Sequence, residues 1–229
     1  MLSTNTIIED YSIVGVYLVN PNVLKLHEEH IKEHLEKLKK QIVSDGVLKK
    51  PIIVEKNTMI VLDGTHRVTI ARELGFKRIP AILVDYSEVE IRSWARIFHG
   101  GNVENFVAKL FCKGVQTAEG SHYKRSIVII INGEKYLTIE TGRPILEIYR
   151  ELYLFEKWML GRGFLVKIVP DSEVEEHKYS GLAVIPPCIR RDEVVNVVKQ
   201  GTVFPPKSTR HVLKKEIPDV NIPLHELTK

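Results

Sequence analysis

The sequence has few of the features that mark special classes of protein. It contains only 2 cysteines, Cys112 and Cys188, which lie far apart and form no Cys-x-x-Cys pair, so nothing indicates a disulfide framework or a zinc site. Its longest apolar runs, such as residues 127–131, are too short to cross a bilayer. The amino terminus has no basic segment followed by an apolar one, and we therefore expect a cytoplasmic protein without a membrane partner.

An excess of one charge is also missing. The formal net charge is +4, which permits anionic ligands such as nucleotides but requires no nucleic acid partner. Hydrophobic residues make up 44%, aromatic residues 7% and charged residues 27% of the chain, as in an ordinary globular protein. At 229 residues we expect two domains with a mixed fold, α/β or α+β.

The amino-terminal part alternates between strand and helix patterns. Short β-branched runs predict strands at residues 14–19, 51–54, 59–62 and 79–84. Apolar residues at helical spacing predict helices over residues 31–42 and 65–74, the second capped by Gly75. A sharp turn at Asp63-Gly64 places the start of this second helix at the end of a strand, where open α/β folds bind ligands.

A composition break at His99-Gly100-Gly101 marks a domain boundary. Beyond it, the patterns predict strands at residues 126–131, 135–140, 164–169 and 182–185, and helices at residues 103–114, 144–161 and 192–200. Asn132-Gly133 suits the type I′ turn of a hairpin. We therefore predict three parts, at residues 1–99, 100–201 and 202–229.

Five consecutive residues, Asp63, Gly64, Thr65, His66 and Arg67, form the motif with the clearest chemical meaning. A helix amino terminus leaves backbone N–H groups unpaired and carries partial positive charge, so it binds anions such as phosphate. Arg67 and His66 add hydrogen-bond donors, and Asp63 could orient them or hold Mg²⁺ through water. The alternative is that Asp63 and Thr65 only cap the helix.

A second candidate segment near the carboxy terminus consists of Lys207, Ser208, Thr209, Arg210 and His211. Its two cations, two hydroxyls and one imidazole suit a phosphate or a carboxylate. The alternative is a solvated basic tail. Apolar residues before and after the cluster predict that the segment is packed onto the body of the protein.

Glu28 belongs to a polar group with His27, His30 and His34 that we predict in the first turns of a helix. If Glu28 lies near the turn at residues 63–67, which we call the phosphate turn, its carboxylate could accept a hydroxyl proton. His30 and His34 have the i, i+4 spacing of a metal pair, but we interpret them as surface residues. Trp94 follows a predicted helical stretch and is either a core residue or part of a substrate wall.

The motif at residues 63–67, followed by a helix, Gly75 and Ile79-Pro80-Ala81, resembles the nucleotide-binding half of the ParB and sulfiredoxin superfamily. The resemblance implies a ParB/sulfiredoxin-like nucleotide-binding domain over residues 1–99 and a second, smaller α/β domain over residues 100–201. By itself it leaves the function open, because one fold hosts several chemistries.

With His27-Glu28, Trp94 and residues 202–213 added, the chain resembles the archaeal free serine kinases over nearly its whole length, weakly at residues 114–190. This resemblance implies transfer of a phosphoryl group from ADP or ATP, with Mg²⁺, to free L-serine. The product would be O-phospho-L-serine for cysteine synthesis, and no obligate protein partner is implied.

The same resemblance assigns roles to individual residues. Glu28 and Asp63 would be catalytic, and residues 202–229 would contribute to the active site. Nucleotide phosphates would be bound by Gly64, Thr65, His66 and Arg67, and the substrate by Trp94, Lys207, Ser208, Thr209, Arg210 and His211. Thr65 departs from the best-known kinase pattern, which has a second histidine there; a threonine can still cap the helix and donate to phosphate.

Two alternatives remain. A ParB-like DNA-binding protein would carry a helix-turn-helix and a stronger basic face, neither of which is evident. A nucleotide or serine sensor without kinase activity would keep the site but lose Glu28. Sulfiredoxin chemistry is disfavoured, because it needs a nucleophilic cysteine where this chain has Thr65.

Overall fold

The computed structural model describes residues 8–10, 15–100, 125–133, 135–174 and 181–229. The chain divides into two compact units. The first unit comprises Met1–Glu90, Val194–Pro206 and His211–Lys229, and the second comprises Ile91–Glu193 and Lys207–Arg210. Within the described ranges, no helix is both long enough and apolar enough to cross a membrane.

The secondary structure alternates irregularly between strands and helices. In chain order, the strands are β1 (Ile8–Asp10), β2 (Tyr17–Val19), β3 (Lys25–Leu26), β4 (Val47–Leu48), β5 (Ile52–Glu55), β6 (Ile60–Asp63), β7 (Ile79–Val84), β8 (Glu90–Arg92), β9 (Trp94–His99), β10 (Arg125–Ile131), β11 (Lys135–Thr141), β12 (Leu165–Pro170), β13 (Leu182–Ile185), β14 (Arg210–Val212) and β15 (Ile222–Pro223). The helices are α1 (Lys32–Asp45), α2 (Thr65–Glu73), α3 (Ile145–Leu160), α4 (Arg191–Lys199) and α5 (Leu224–Leu227).

The first unit contains a mixed sheet of six described strands in the order β1-β2-β7-β5-β6-β3. Neighbouring strands are antiparallel, except for the parallel pairs β5 with β7 and β6 with β3. Every residue of β5 is buried, which matches its continuous apolar run. β6 lies between β5 and β3, and its last residue, Asp63, is paired with Ile53 of β5. This pairing fixes the position of the carboxyl end of β6.

Helices α1 and α2 share one core with this sheet. Leu35 and Ile42 of α1 and Val68 and Ala71 of α2 are buried in it. Each fully buried leucine, isoleucine or valine side chain contributes about 1.5–3 kcal/mol. Gly46, at φ 67°, ends α1 in the left-handed conformation, as expected for a glycine C-cap.

The second unit contains an antiparallel sheet in the order β11-β10-β13-β9-β12. Helix α3 buries Ile148, Leu152 and Met159 against it. Asn132 and Gly133, at φ 52° and 73°, connect β10 to β11, and the predicted hairpin is therefore confirmed. Pro144 is the N-cap of α3 rather than its first residue.

The structure corrects two predictions about elements. Trp94 begins strand β9 instead of following a helix. Helix α1 begins at Lys32, so His27, Glu28 and His30 precede it instead of sharing its first turns. The apolar spacing located this helix, with a predicted start at residue 31 and an observed start at Lys32, and the error was confined to the polar residues placed in its first turns. The helix predicted at residues 103–114 lies outside the described residues.

Candidate active site

The turn after β6 presents the amino terminus of α2. Gly64 is the N-cap residue at φ 102°, a conformation that side chains rarely adopt. A Cβ atom added to Gly64 would lie 2.5 Å from Cγ2 of Ile52. The turn is therefore tight for two reasons, its backbone angle and the β5 side chain beneath it.

No side chain in the described part of the chain caps this helix end. The interpretation of Thr65 as a cap is therefore wrong, because Gly64 takes the N-cap position and Thr65 is already helical. The Thr65 carbonyl accepts a hydrogen bond from the Thr69 hydroxyl at 3.0 Å. A helix amino terminus without a side-chain cap is the kind of helix end that suits an anion, and phosphate binding at this turn stays a prediction.

Arg67 is held in place by hydrogen bonds to the loop before β5 and to the end of β6. Its Nη2 donates to Oδ2 of Asp63 at 2.7 Å, and its Nη1 donates to the carbonyls of Pro51 at 2.5 Å and Lys50 at 3.2 Å. The Arg67 side chain is 15% exposed and that of Asp63 is 55% exposed. Asp63 therefore orients the guanidinium beside the turn, one of the two roles that the sequence left open for it.

His66 connects the starts of the two helices. Its Nε2 accepts a hydrogen bond from the backbone N–H of Ile31, the N-cap residue of α1, at 3.1 Å. The rings of His30 and His34 each lie 6.2 Å from the His66 ring, centroid to centroid. Nowhere in the described ranges do three or more His, Cys, Asp or Glu side chains form a group suited to a metal ion.

Glu28 is fixed by its backbone. It forms a parallel β-bridge with the fully buried Phe204: the Phe204 N–H donates to the His27 carbonyl at 2.8 Å, and the Glu29 N–H donates to the Phe204 carbonyl at 2.9 Å. The two bonds lie on either side of Glu28 and set the direction of its side chain, which is 15% exposed. Ile31, whose N–H donates to His66 of the turn, follows Glu28 by three residues in sequence. Glu28 is therefore close along the chain to the contact between the turn and the start of α1.

Next to Glu28 lies a group of aromatic side chains in which His27 and Tyr86 are buried and His211 is half-buried. Nδ1 of His27 is 2.6 Å from the carbonyl oxygen of Val61, and its ring lies 5.1 Å from that of His211 in an edge-on arrangement. The hydroxyl of Tyr86 is 2.9 Å from Nε2 of His211. His211, which the sequence predicted as a site residue, therefore lies in the same unit as Glu28 and the turn.

Burial keeps both histidines of this group neutral. The pKa of His211 is lowered to about 3, mainly by burial and to a smaller extent by the nearby His27, against a raising contribution from the Leu62 backbone. Burial also lowers the pKa of His27, against smaller raising contributions from Glu28 and Val61.

The second unit holds a separate group of the predicted substrate residues. Nε1 of Trp94 donates to the Thr209 carbonyl at 2.9 Å. Nζ of Lys207 lies 4.5 Å and Cζ of Arg210 5.7 Å from the centroid of the Trp94 ring. Ser208 and Thr209 are buried, so this segment is folded rather than a solvated tail, as its apolar flanks predicted.

Sequence reasoning missed Tyr86 and Phe204 as contributors to the Glu28 environment. It named His27 only as a member of a histidine group. No local signal identifies these contacts, because Tyr86 and His211 are 125 residues apart and meet through the fold alone.

The fold and the turn define a protein with a ParB-type domain, and the model of the ParB N-terminal domain matches residues 3–97. The chain belongs to the family of ParB-like proteins. A ParB-like protein of Sulfolobus acidocaldarius is 31% identical over 210 residues, which cover 89% of this chain and 94% of the relative.

Other relatives that match most of the chain are named as kinases. The ADP-dependent L-serine kinase SerK of Thermococcus kodakarensis is 27% identical, and the alignment covers 93% of both chains. An ATP-dependent L-serine kinase of Staphylothermus marinus is 28% identical, with 92% of this chain and 90% of the relative covered. The resemblance to the free serine kinases is therefore confirmed.

Solved structures agree with the fold. A free serine kinase, solved as a glutamate-to-alanine variant in complex with ADP, has a TM-score of 0.73 at 24% identity, with 96% of each chain covered. SbnI with a C-terminal truncation, from Staphylococcus aureus, has a TM-score of 0.77 at 19% identity, with 94% of this chain and 90% of that chain covered. The predicted mixed α/β fold with a ParB-like domain is confirmed.

Proposed function

We propose that this protein is a nucleotide-dependent kinase of free L-serine. It transfers the terminal phosphoryl group of ADP or ATP to the serine hydroxyl and releases O-phospho-L-serine. The observation that supports this most is the placement of Glu28, a carboxylate fixed by the Phe204 bridge three residues before the Ile31–His66 hydrogen bond. Relatives named as ADP-dependent and ATP-dependent L-serine kinases, matched over about nine tenths of the chain, support the same activity.

The proposed chemistry needs positioning and charge neutralisation rather than a covalent intermediate. Phosphoryl transfer spreads negative charge over the oxygens of the transferred group, and preorganised donors stabilise that charge. The first turn of α2, together with His66 and Arg67, would grip the nucleotide phosphates. Glu28 would align the serine hydroxyl and accept its proton.

Trp94 and the segment from Lys207 to His211 would bind serine. A cation near an aromatic face and a folded segment with two hydroxyls suit a zwitterionic amino acid, whose carboxylate needs a cationic partner. The role of these residues as substrate contacts is a proposal that rests on the resemblance to the kinases.

The donor set also fits Mg²⁺. This ion prefers hard oxygen ligands, keeps several waters, and is bound through one or two carboxylates with substrate phosphates. Asp63 is a half-exposed carboxylate at the phosphate turn and would hold the ion through water. Mg²⁺ would neutralise charge on the transferred phosphoryl group. A supply of O-phospho-L-serine to cysteine synthesis and a cytoplasmic location are further parts of the proposal.

The test is a product assay. The purified protein is incubated with Mg²⁺, with ADP or ATP in turn, and with a panel of free amino acids, and phosphorylated products are detected by mass spectrometry. We expect O-phospho-L-serine with at least one nucleotide. Absence of phosphoserine with both nucleotides would remove the kinase function.

The second candidate is a ParB-like nucleic acid binder, favoured by the match to the ParB N-terminal domain and by the relative named only as ParB-like. Filter binding to duplex DNA at several salt concentrations separates the candidates. Tight binding that weakens steeply with salt, together with no phosphoserine, would support the DNA-binding function.

A further inference from the structure

His27 lies between Val61 of β6 and the side chain of Glu28, and the proposed mechanism gives it no role. It is buried and 2% exposed. Its Nδ1 faces the Val61 carbonyl oxygen at 2.6 Å, and its Nε2 lies 3.9 Å from Oε2 of Glu28. The two ring nitrogens therefore face two different partners on opposite sides.

The contact with Val61 fixes the tautomer of His27. A carbonyl oxygen can only accept a hydrogen bond, so Nδ1 carries the hydrogen. In a neutral imidazole the other nitrogen is then a lone-pair acceptor. Nε2 of His27 thus presents a lone pair toward the carboxylate of Glu28.

The surroundings hold this ring in place and keep it uncharged. The edge-on ring of His211, itself bonded to the Tyr86 hydroxyl, lies against His27 and limits its rotation. Burial lowers the pKa of His27, and the neutral form is favoured. A charged His27 would instead pair with the Glu28 carboxylate and weaken it as a base.

We propose that His27 is a positioning residue, whose Nε2 lone pair accepts a hydrogen bond from the carboxyl group of Glu28 once Glu28 has taken the serine proton. This role rests on the proposed kinase function. In the step, the serine O–H bond breaks and its proton goes to Glu28. The serine oxygen forms a bond to the terminal phosphorus, and the bond from that phosphorus to the bridging oxygen breaks, leaving its electron pair on the departing nucleotide.

This role gives a reason for the position of the neutral, buried His27 ring beside Glu28. Ionised Glu28 cannot donate to Nε2, whereas protonated Glu28 can, with a small approach from 3.9 Å. The hydrogen bond therefore forms only after proton transfer, and it favours the product side of that transfer. The proton leaves to water when the product is released.

Two substitutions of His27 distinguish the roles of its two ring nitrogens. Asparagine at position 27 can still donate to the Val61 carbonyl but places no acceptor near Glu28. Glutamine places an amide oxygen at the Nε2 position but loses the contact with Val61. We expect His27→Asn to lower kcat by about ten-fold or more, with little change in KM for serine or nucleotide, because general-base steps respond to such partners. His27→Gln should regain part of this loss.

The control is His225→Asn, which changes an exposed histidine on α5 and should leave kcat unchanged. A His27→Asn enzyme with the kcat of the unmodified protein would overturn the inference, and so would equal losses in the two variants, since packing alone would then account for them. If the unmodified protein forms no phosphoserine, the proposed function fails instead, and the role of His27 fails with it.

A second measurement does not depend on how the variants fold. Nitrogen-15 NMR of the unmodified protein with labelled histidine distinguishes a protonated ring nitrogen from an unprotonated one. We expect His27 at neutral pH to show a hydrogen on Nδ1 and none on Nε2. A hydrogen on Nε2, in either the other tautomer or the charged form, would overturn the inference.

Discussion

At the scale of single residues, the surroundings of Glu28 and His211 lead to testable predictions. Glu28 combines low exposure with a backbone pinned on both sides by Phe204. The two hydrogen bonds fix the backbone of Glu28, and the general base that we propose must lie within hydrogen-bond reach of the proton that it accepts.

The first prediction concerns Glu28→Gln. Glutamine keeps the size of the side chain but cannot accept a proton, so phosphoserine formation should fall by about a hundred-fold or more. Nucleotide binding should persist, because the phosphate turn at residues 63–67 is untouched. A product assay measures phosphoserine formation, and calorimetric titration with ADP or ATP measures nucleotide binding. Full activity in this variant would remove Glu28 from the mechanism.

The second prediction concerns pH and His211, whose pKa in the folded protein is about 3. An unfolded histidine titrates near 6.5, so between about 3 and 6.5 the unfolded chain binds a proton that folded His211 refuses. The free energy of unfolding should therefore fall as the pH drops through this window, by up to about 1.4 kcal/mol per pH unit from this residue. Above pH 6.5 the contribution is complete.

Urea unfolding at pH 4.5, 5.5 and 7 measures this effect. His211→Gln keeps an acceptor for Tyr86 but cannot titrate, so its stability should depend less steeply on pH. His225→Gln, on the exposed side of α5, is the matched control and should retain the full slope. Identical slopes in all three proteins would contradict the buried, neutral state of His211.

At the scale of elements, the junction of β6 and α2 determines the phosphate turn. Gly64 has a positive φ, and a Cβ atom added to it would lie 2.5 Å from Cγ2 of Ile52 in β5. The junction should therefore be sensitive to a single methyl group.

The third prediction is that Gly64→Ala lowers the free energy of unfolding by about 3 kcal/mol, through backbone strain and overpacking against Ile52. Gly75→Ala is the matched control: its φ is 69°, but a Cβ atom there would meet nothing within 4 Å, so it should cost about 1 kcal/mol. Thermal and urea unfolding compare the two. Equal costs would show that the contact with Ile52 does not constrain the turn.

At the scale of the whole molecule, ligand binding should appear as added stability. A ligand that binds only the folded state stabilises it by about 2.7 kcal/mol when present at a hundred times its Kd. Because the proposed site grips phosphates, the effect should depend on the phosphate groups of the ligand.

The fourth prediction is that ADP or ATP with Mg²⁺ raises the Tm, whereas adenosine, which lacks phosphates, raises it much less. The physical reason is that the partial positive charge at the amino terminus of a helix such as α2 favours anions. Differential scanning fluorimetry at matched ligand concentrations measures this. An equal shift with adenosine would locate the main contacts away from the turn.

The resemblance and the local patterns predicted much of the fold and part of the candidate site. The turn at residues 63–67, the helix bodies and the Asn132-Gly133 hairpin were correct because each depends on neighbours in sequence. The placing of Glu28 in the first turns of α1, the helical stretch before Trp94 and the cap at Thr65 were wrong, since tertiary packing overrode local preference there.

The sequence by itself determined the strand, the glycine turn and the helix that follows it, because periodicity and glycine conformation are local properties. Only the tertiary structure decided that Phe204 pairs with Glu28, and that His27, His211 and Tyr86 form one group. These contacts join residues more than a hundred positions apart, and no local pattern records which distant side chains the core will bring together.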